Sequence, residues 1–309
     1  MKVSFVIPCY RSEVTLPAVV EEIKTTMEKI GHDFEIVLVN DSSPDNTFSV
    51  IRKLASENDN IIGLDLAKNF GQHCALMAGM RQTTGDVVVC LDDDGQTPAN
   101  EVDKLLGKLD EGFDVCYASY GKKQHSGFRN LGSKVNELMT RVMLGKPKSL
   151  TVSSYFAAKR FVVEDMMKYD RSYAYVIGLV LRATKNITNV EVNHRAREVG
   201  RSGYTLKKLF ALWFNGFTAF SIKPLRIATG IGCFCAGGGF LYGIYTIIKK
   251  LVLVDVEAGF SALMSVLVFM GGMIMLMLGM IGEYVGRIYI CMNNSPQYVI
   301  REIVGAKEK

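Results

Sequence analysis

Three consecutive aspartates, Asp92, Asp93 and Asp94, directly follow the apolar segment of residues 87–91. This segment predicts a strand that is buried on both faces, and a turn with glycine and proline follows the aspartates. Open α/β sheets bind ligands at the carboxyl ends of their strands. Three adjacent carboxylates repel one another unless a cation offsets their charge, and oxygen ligands favour Mg²⁺ or Mn²⁺. The triplet is therefore a candidate metal site, although an exposed acidic turn that caps the next helix explains the same residues.

The first two thirds of the chain alternate strand patterns with helix patterns. Strands are predicted at residues 3–7, 35–40, 61–66 and 86–91, and helices at residues 16–30, 46–58, 71–82 and 101–111. This order of strand and helix implies an α/β fold with a mostly parallel sheet and helices on both of its faces.

A second acid, Asp41, ends the second predicted strand. A lone aspartate at a strand end is more often a turn or helix-cap residue. Two acidic strand ends fit a nucleotide site better, because one can bind a base or ribose while the other holds a metal on phosphates. The sequence has no G-x-G-x-x-G after its first strand and no G-x-x-x-x-G-K-[ST], which argues against dinucleotide oxidoreductases and P-loop NTPases.

The C-terminal third is unusually apolar. Hydrophobic residues make up 49% of the 309-residue chain, a high share for a soluble protein, and residues 227–248 and 258–282 contain no charged side chain. Each of these stretches is long enough to cross the ~30 Å hydrocarbon core of a bilayer, which takes about 20 residues. They predict two transmembrane helices. Their glycines suit either close helix packing in lipid or contact with another subunit.

The cysteines and the first residues indicate a cytosolic location for the N-terminal domain. The seven cysteines lack the spacing of a metal site, and Cys9, Cys74, Cys90 and Cys116 lie in or beside apolar segments, where thiols pack as small core side chains. The apolar run of residues 3–7 is too short for the core of a signal peptide.

Four segments in this order and spacing resemble family 2 glycosyltransferases of the GT-A fold. They are V-S-F-V-I-P-C-Y at residues 3–10, V-L-V-N-D-S-S-P-D-N-T at 37–47, N-F-G-Q-H-C-A-L at 69–76 and L-D-D-D-G-Q-T-P at 91–98. More narrowly, they resemble the polyprenyl-phosphate glycosyltransferases, which use undecaprenyl or dolichyl phosphate. N-H-R-A-R-E-V-G-R-S-G-Y-T-L-K-K-L at 193–209, followed by two apolar spans, resembles the bacterial members.

The resemblance implies three overlapping sets of site residues. The residues expected to bind the nucleotide sugar are Pro8, Tyr10, Glu13, Asp41, Asp92, Asp93, Arg197, Arg201 and Ser202. The residues expected to hold Mg²⁺ or Mn²⁺ are Asp92, Asp94 and Gln96. The residues expected to be catalytic are Asp92, Asp94, Arg129 and Arg197. In this assignment Asp41 binds the base edge, and Arg197 and Ser202 belong to an element that closes over the diphosphate.

Three positions depart from the pattern of the family. Gly95 stands where a leucine is usual before Gln96, and Tyr120 stands where an arginine is frequent. Residues 151–157 lack the acid and the arginine that are expected there. These departures concern sugar recognition and acceptor positioning, not the metal site.

The charges of residues 195–226 suit an anionic acceptor. This segment carries seven lysines and arginines against one acid, Glu198. A lipid phosphate is already an anion, so it needs cations around it and no strong general base, and the four histidines are interpreted as ordinary polar residues. The alternative is a basic patch that only lies on anionic lipid. The aromatic residues within 206–222 predict an interfacial helix.

The resemblance and the apolar segments together predict a GT-A catalytic domain at residues 1–205, an interfacial amphipathic segment at 206–225, two transmembrane helices within 226–283 and a cytosolic tail at 284–309. The expected reaction is inverting transfer of one sugar from a nucleotide sugar, a UDP-sugar, to undecaprenyl phosphate at the cytosolic face of a bacterial membrane. The expected partners are both substrates, the bilayer and a further copy of the chain, and no nucleic acid. Another lipid acceptor such as diacylglycerol, or a catalytically silent subunit of a glycan-export complex, is the alternative.

Overall fold

The chain forms two compact units. The computed structural model describes residues 1–120, 146–147, 149–172, 174–193, 223–252, 259–293 and 295–305. The first unit comprises residues 1–216 and 294–309, and the second comprises residues 217–293.

Eight strands among the described residues form one mixed sheet in the first unit. They are β1 (Lys2–Cys9), β2 (Asp33–Asn40), β3 (Ile61–Leu66), β4 (Val87–Cys90), β5 (Val115–Tyr120), β6 (Phe156–Lys159), β7 (Ile187–Val192) and β8 (Ile300–Val304). Their order is β7-β5-β6-β4-β1-β2-β3-β8. The pairs β1–β2, β1–β4, β2–β3 and β5–β7 are parallel, whereas β6 and β8 run antiparallel to their neighbours.

Helices connect the strands and pack on both faces of the sheet. They are α1 (Leu16–Ile30), α2 (Thr47–Glu57), α3 (Gln72–Met80), a short 3₁₀ helix (Ala99–Glu101), α4 (Val102–Asp110), α5 (Arg160–Met167) and α6 (Val176–Ala183). The second unit contains α7 (Lys223–Val252) and α8 (Phe260–Met292). The predicted α/β fold with a mostly parallel sheet is confirmed.

Alternation along the central strands builds a core on each face of the sheet. Ile36 and Leu38 of β2 belong to a buried cluster with residues of α1, α2 and α4. Their neighbours Val37 and Val39 point the other way and pack with Ala75 and others of α3. Because successive strand residues face opposite sides, a strand covered on both faces is apolar on both, as in all of β4 and in the central residues of β1 and β2.

The end of the chain forms an edge strand of the sheet. The sequence predicts a tail from residue 284, but α8 continues to Met292 and β8 then pairs with β3. Gly63 of β3 permits this pairing, because a Cβ at this position would lie 2.7 Å from Cγ2 of Val304. Gly305 ends the strand at a φ of +75°, a backbone conformation that glycine adopts without strain.

The second unit is apolar on its surface. Phe234, Phe240 and Met275 are among the large hydrophobic side chains that α7 and α8 leave exposed. Among the described residues, Phe269–Met292 is one segment long and apolar enough to cross a membrane, and Ala228–Tyr242 is a shorter apolar stretch. By length and composition, α8 therefore agrees with the predicted hairpin.

Candidate active site

The parallel strands β1, β2 and β4 are neighbours, so their carboxyl ends meet at one edge of the sheet. Asp93, which follows β4, connects this strand to β1. Its carboxylate accepts a hydrogen bond of 3.0 Å from the backbone N–H of Tyr10 and another from the hydroxyl of Ser12. Burial raises the pKa of Asp93, although these two hydrogen bonds oppose the shift. Asp93 thus fixes the loop after β1.

The loops after β1 and β2 are joined by side chains. The Ser43 hydroxyl accepts a 2.8 Å hydrogen bond from the backbone N–H of Arg11 and donates one of 2.5 Å to Asp45. The Glu13 carboxylate accepts a 3.0 Å hydrogen bond from the backbone N–H of Asn46. Arg11 has a φ of +59°, and a residue other than glycine keeps such a conformation only where its surroundings impose it.

Asp41 is held by the loop that leads into α3. Its two carboxylate oxygens accept hydrogen bonds from the backbone N–H groups of Phe70, at 2.7 Å, and Gly71, at 2.9 Å. The residue is only 4% exposed, and burial raises its pKa although these hydrogen bonds oppose the shift. Asp41 therefore orders the entry to α3, whatever it contributes to a ligand.

Asp92 connects three elements. One carboxylate oxygen accepts a 2.8 Å hydrogen bond from the amide of Gln72 at the start of α3, and the other accepts one from the hydroxyl of Ser154. Ser154 lies here because β6 runs antiparallel to β4, so the residues before β6 lie beside those after β4. Burial, together with the charges of Asp94 and Asp93, raises the pKa of Asp92 to about 6.

Asp94 and Gln96 share the turn after β4. The backbone N–H of Gln96 donates a 3.1 Å hydrogen bond to the Asp94 carboxylate, and Gly95 between them has a φ of +71°. This positive φ gives a physical reason for glycine in place of the usual leucine. Tyr120 ends β5 near these acids. Its burial, followed by the charges of Asp92 and Asp94, raises its pKa to about 12.

The acids of this edge do not form a closed metal cage. Among the described residues, no three His, Cys, Asp or Glu side chains come together as a metal-binding group. Mg²⁺ in enzyme sites is commonly held by one or two carboxylates together with substrate phosphates. An open turn that carries Asp94 and Gln96 fits this kind of site better than a site made entirely of protein ligands.

The structure brings most of the predicted site residues to one edge. These are Pro8, Tyr10, Glu13, Asp41, Asp92, Asp93, Asp94 and Gln96. Arg129, Arg197, Arg201 and Ser202, as well as the predicted interfacial helix, lie outside the described residues.

Three residues of the hydrogen-bond network were not singled out by the sequence. They are Ser12, Gln72 and Ser154, which bind the aspartates after β4. Gln72 belongs to the segment N-F-G-Q-H-C-A-L, and Ser154 lies within the atypical residues 151–157, so both could have been chosen as site residues from the sequence. No motif or departure marks Ser12 as a site residue.

Two family models match this chain. Residues 4–167 match the model described as glycosyl transferase family 2, and residues 223–288 match the model described as GtrB C-terminal hairpin. Among similar proteins is the undecaprenyl-phosphate 4-deoxy-4-formamido-L-arabinose transferase of Proteus mirabilis, 32% identical over 310 residues, with 99% of this chain and 95% of the relative covered. The transferase of the same name from Yersinia enterocolitica is 32% identical over 311 residues, with the same coverage.

Solved structures share the fold. Glucosyl-3-phosphoglycerate synthase from Mycobacterium tuberculosis, in complex with Mn²⁺, UDP-glucose and phosphoglyceric acid, superposes with a TM-score of 0.53 at 19% identity, covering 70% of this chain and 77% of that one. The complex of that enzyme with phosphoglyceric acid gives a TM-score of 0.54, also at 19% identity, covering 71% and 78%. At this identity the likeness establishes the GT-A fold of the first unit and no substrate.

Proposed function

Because this chain belongs to glycosyl transferase family 2 and carries the GtrB C-terminal hairpin, we propose that it is a membrane-bound, metal-dependent, inverting glycosyltransferase. It transfers one sugar from a nucleotide sugar, a UDP-sugar, to undecaprenyl phosphate at the cytosolic face of the bacterial membrane. The observation that carries this proposal is the hydrogen-bonded network in which Asp92 and Asp93 join the carboxyl ends of β1 and β4 to α3. The names of the full-length relatives support the acceptor.

The donor would lie across the loops after β1 and β2. Tyr10 is 46% exposed and offers an aromatic surface to a base, while the neighbouring loop is held by Asp41. Asp93 is engaged by the loop after β1, so it shapes the pocket and is not placed in the metal set. These contacts are made between protein groups, and they would reduce the ordering cost of donor binding.

Asp94 and Gln96, together with Asp92, would hold the divalent cation. A bound Mg²⁺ or Mn²⁺ would act as a Lewis acid and offset the charge that develops on the departing nucleoside diphosphate. Asp92 is oriented by hydrogen bonds from Gln72 and Ser154, two neutral donors. Burial and the charges of Asp94 and Asp93 raise the pKa of Asp92, and the hydrogen bonds from Ser154 and Gln72 oppose this shift only in part.

The acceptor would attack without a strong general base. An oxygen of the lipid phosphate forms the new bond to the anomeric carbon as the bond to the nucleoside diphosphate breaks, and a single displacement inverts that carbon. His73 follows Gln72 on α3, but burial lowers its pKa to about 4, so the ring stays neutral. It packs against Tyr175 with ring centroids 5.0 Å apart, as expected for a core residue.

Transfer by the purified full-length protein tests the proposal. Vesicles containing the protein are supplied with undecaprenyl phosphate and a panel of radiolabelled donors: UDP-glucose, UDP-N-acetylglucosamine, GDP-mannose and the UDP-linked 4-deoxy-4-formamido-L-arabinose. We expect one UDP-sugar to label the extracted lipid, chelation to abolish the labelling, and Mg²⁺ or Mn²⁺ to restore it.

Matched vesicles separate the possible acceptors. A parallel set contains diacylglycerol in place of undecaprenyl phosphate, and we expect no labelled lipid from it. Label in diacylglycerol alone would reject the polyprenyl phosphate acceptor. Full transfer in the presence of chelator would reject the metal-dependent mechanism.

A further inference from the structure

The side chain of Arg301, in the C-terminal strand β8, forms hydrogen bonds with β3 and with the residues that follow it. The guanidinium of Arg301 donates a 3.0 Å hydrogen bond to the Asp65 carboxylate of β3 and a 2.9 Å hydrogen bond to the carbonyl oxygen of Ala67. Asp65 is only 4% exposed. A buried carboxylate is costly without a cationic or hydrogen-bonding partner, and Arg301 supplies such a partner to Asp65.

The other oxygen of Asp65 leads to the loop after β2. It accepts a 2.7 Å hydrogen bond from the amide nitrogen of Asn40, and the amide oxygen of Asn40 accepts a 3.2 Å hydrogen bond from the backbone N–H of Ser43. Asn40 is itself buried. These hydrogen bonds fix the orientation of the Asn40 amide, because reversing it would put two donors, or two acceptors, face to face.

The hydrogen bond from Arg301 to Ala67 also leads to Asp41, through the segment before α3. Ala67 opens the segment that continues through Asn69 to Gly71, and the Asn69 amide donates a 3.2 Å hydrogen bond to the carbonyl oxygen of Asp41. Gly71 donates its N–H to the Asp41 carboxylate. One hydrogen bond of Arg301 thus leads through Asp65 and Asn40 to the loop after β2, and the other ends on Ala67, in the segment before α3.

We infer that Arg301 is a positioning residue for the donor pocket, which acts through Asp65 and Asn40 on the loop that carries Asp41. This inference rests on the proposed function, because it assigns the loop to the nucleotide. Strand β8 directly follows the hairpin segment in the chain, so the donor pocket of the first unit is completed by residues from the far end of the sequence.

The chain offers a matched control on the same strand. Arg52 of α2 forms an ion pair of 2.8 Å with Glu302 of β8, next to Arg301. Both partners are exposed, and within the part of the chain that the structure describes the Arg52 guanidinium contacts Glu302 and the Phe48 ring, not the Asp41 loop. Replacing Arg52 removes a charge contact of β8, as replacing Arg301 does, without disturbing Asp65. Strand β8 pairs with β3 through its backbone, so we expect both variants to keep this pairing.

Donor binding in Arg301→Ala tests the inference. The probe is UDP with Mg²⁺, titrated calorimetrically into the full-length protein, followed by separate KM measurements for donor and acceptor. We expect Arg301→Ala to weaken UDP binding and raise the donor KM by about tenfold, with the acceptor KM unchanged, because a charge-assisted contact that orders the pocket is lost. Arg301→Lys keeps the charge but cannot contact both oxygens, so we expect an intermediate value. Arg52→Ala should stay within about twofold of the wild type.

The outcomes separate this inference from the proposed function. Equal UDP binding by wild type, Arg301→Ala and Arg52→Ala would overturn the inference and leave the proposed function intact. A wild-type protein that binds no nucleotide would overturn both. If Arg301→Ala does not fold, Arg301→Lys decides: a donor KM equal to that of the wild type would overturn the inference.

Discussion

Three adjacent carboxylates follow β4, and each has a different environment. Asp92 is bonded to α3 and to the segment before β6, Asp93 to the loop after β1, and Asp94 to the backbone of its own turn. The three side chains therefore have different hydrogen-bond partners, although the charges of the neighbouring acids still raise the pKa of Asp92. Asp92 and Asp93 thus join separate elements of the site, whereas Asp94, which we propose as a metal ligand, lies in the turn itself.

Asp94→Asn separates the chemical role of this residue from a structural one. The amide oxygen of asparagine can still accept the hydrogen bond from the Gln96 N–H, so we expect the melting temperature to stay within a few degrees of the wild type. Loss of the charge should reduce transfer by about a hundredfold or more. Asp103→Asn, an exposed acid in the first turn of α4, is the control and should keep full activity. Full activity in Asp94→Asn would remove this residue from the metal set.

Asp41→Asn should destabilise the fold as well as weaken donor binding. Both oxygens of Asp41 accept backbone N–H groups, so an amide NH₂ must face one of these donors and leave it unsatisfied. We expect a loss of about 1–3 kcal/mol in the free energy of unfolding. Thermal unfolding read by a thiol-reactive dye measures it, because Cys9, Cys74 and two further cysteines are buried in this unit. Asp33→Asn, at the exposed start of β2, is the control, and equal melting temperatures for both variants would refute the expectation.

At the scale of the elements, the amino ends of the strands are joined by a carboxylate of their own. Glu35 of β2 accepts hydrogen bonds from the Ser4 hydroxyl of β1 at 2.7 Å and from the Thr84 hydroxyl at 2.8 Å, and it pairs with Lys2 at 2.6 Å. Burial alone would raise its pKa, but these partners outweigh burial and lower the pKa to about 2. Glu35 thus ties β1, β2 and the turn before β4 at the end opposite the site.

The stabilising effect of Glu35 should depend on pH. Its pKa in the unfolded chain, 4.5, is higher than in the folded protein, so the contribution is present above pH 4.5 and is lost as the pH falls toward 2. At neutral pH we expect Glu35→Gln to lower the free energy of unfolding on the order of 2–3 kcal/mol. Melting temperatures of wild type and variant between pH 7 and pH 3 test this, and a difference that grows on acidification would contradict it.

The central elements could be predicted from the sequence, whereas the edge strand could not. Strands β1 to β4 are buried on both faces. Their apolar segments alternate with amphipathic helices, so the strands can be predicted from the local sequence pattern. Strand β8 has two adjacent charged residues, Arg301 and Glu302, and no alternation of apolar and polar positions, and its partner β3 lies more than two hundred residues earlier. Gly63, which makes room for it, has no local signature.

The acids of the site could be predicted, whereas their hydrogen-bond partners could not. An acid after a parallel strand lies at the ligand-binding edge by topology alone, so Asp41 and the triplet were found. Ser154 reaches Asp92 because β6 inserts antiparallel beside β4, which depends on the tertiary pairing of distant segments. The serine lies among the residues that depart from the family pattern, and its contact gives this departure a role.

At the scale of the whole molecule, a unit built around a soluble-type sheet is joined to an apolar helical unit. Many large apolar side chains of α7 and α8 are exposed, and residues 223–288, which include most of both helices, match the GtrB hairpin model. A bilayer is the environment that such a surface requires. The chain then returns to the first unit as β8.

The proposed topology places the catalytic unit in the cytosol and the connection between the hairpin helices outside. A cysteine at Asp255, which lies outside the described residues, should react with a membrane-impermeant thiol reagent in intact cells. A cysteine at Glu57, the exposed end of α2, should react only after permeabilisation. The opposite labelling pattern would reverse the orientation of the enzyme.

The most direct test of the central claim is the mass of the lipid product. Purified protein is incubated with undecaprenyl phosphate and the donor that labels it best, and the lipid is examined by mass spectrometry while released nucleoside diphosphate is counted. We expect each product lipid to gain one sugar and each transfer to release one nucleoside diphosphate, and Asp94→Asn to form little product. Lipids that carry several sugars, or undecaprenyl phosphate that stays unmodified with every donor, would contradict the account.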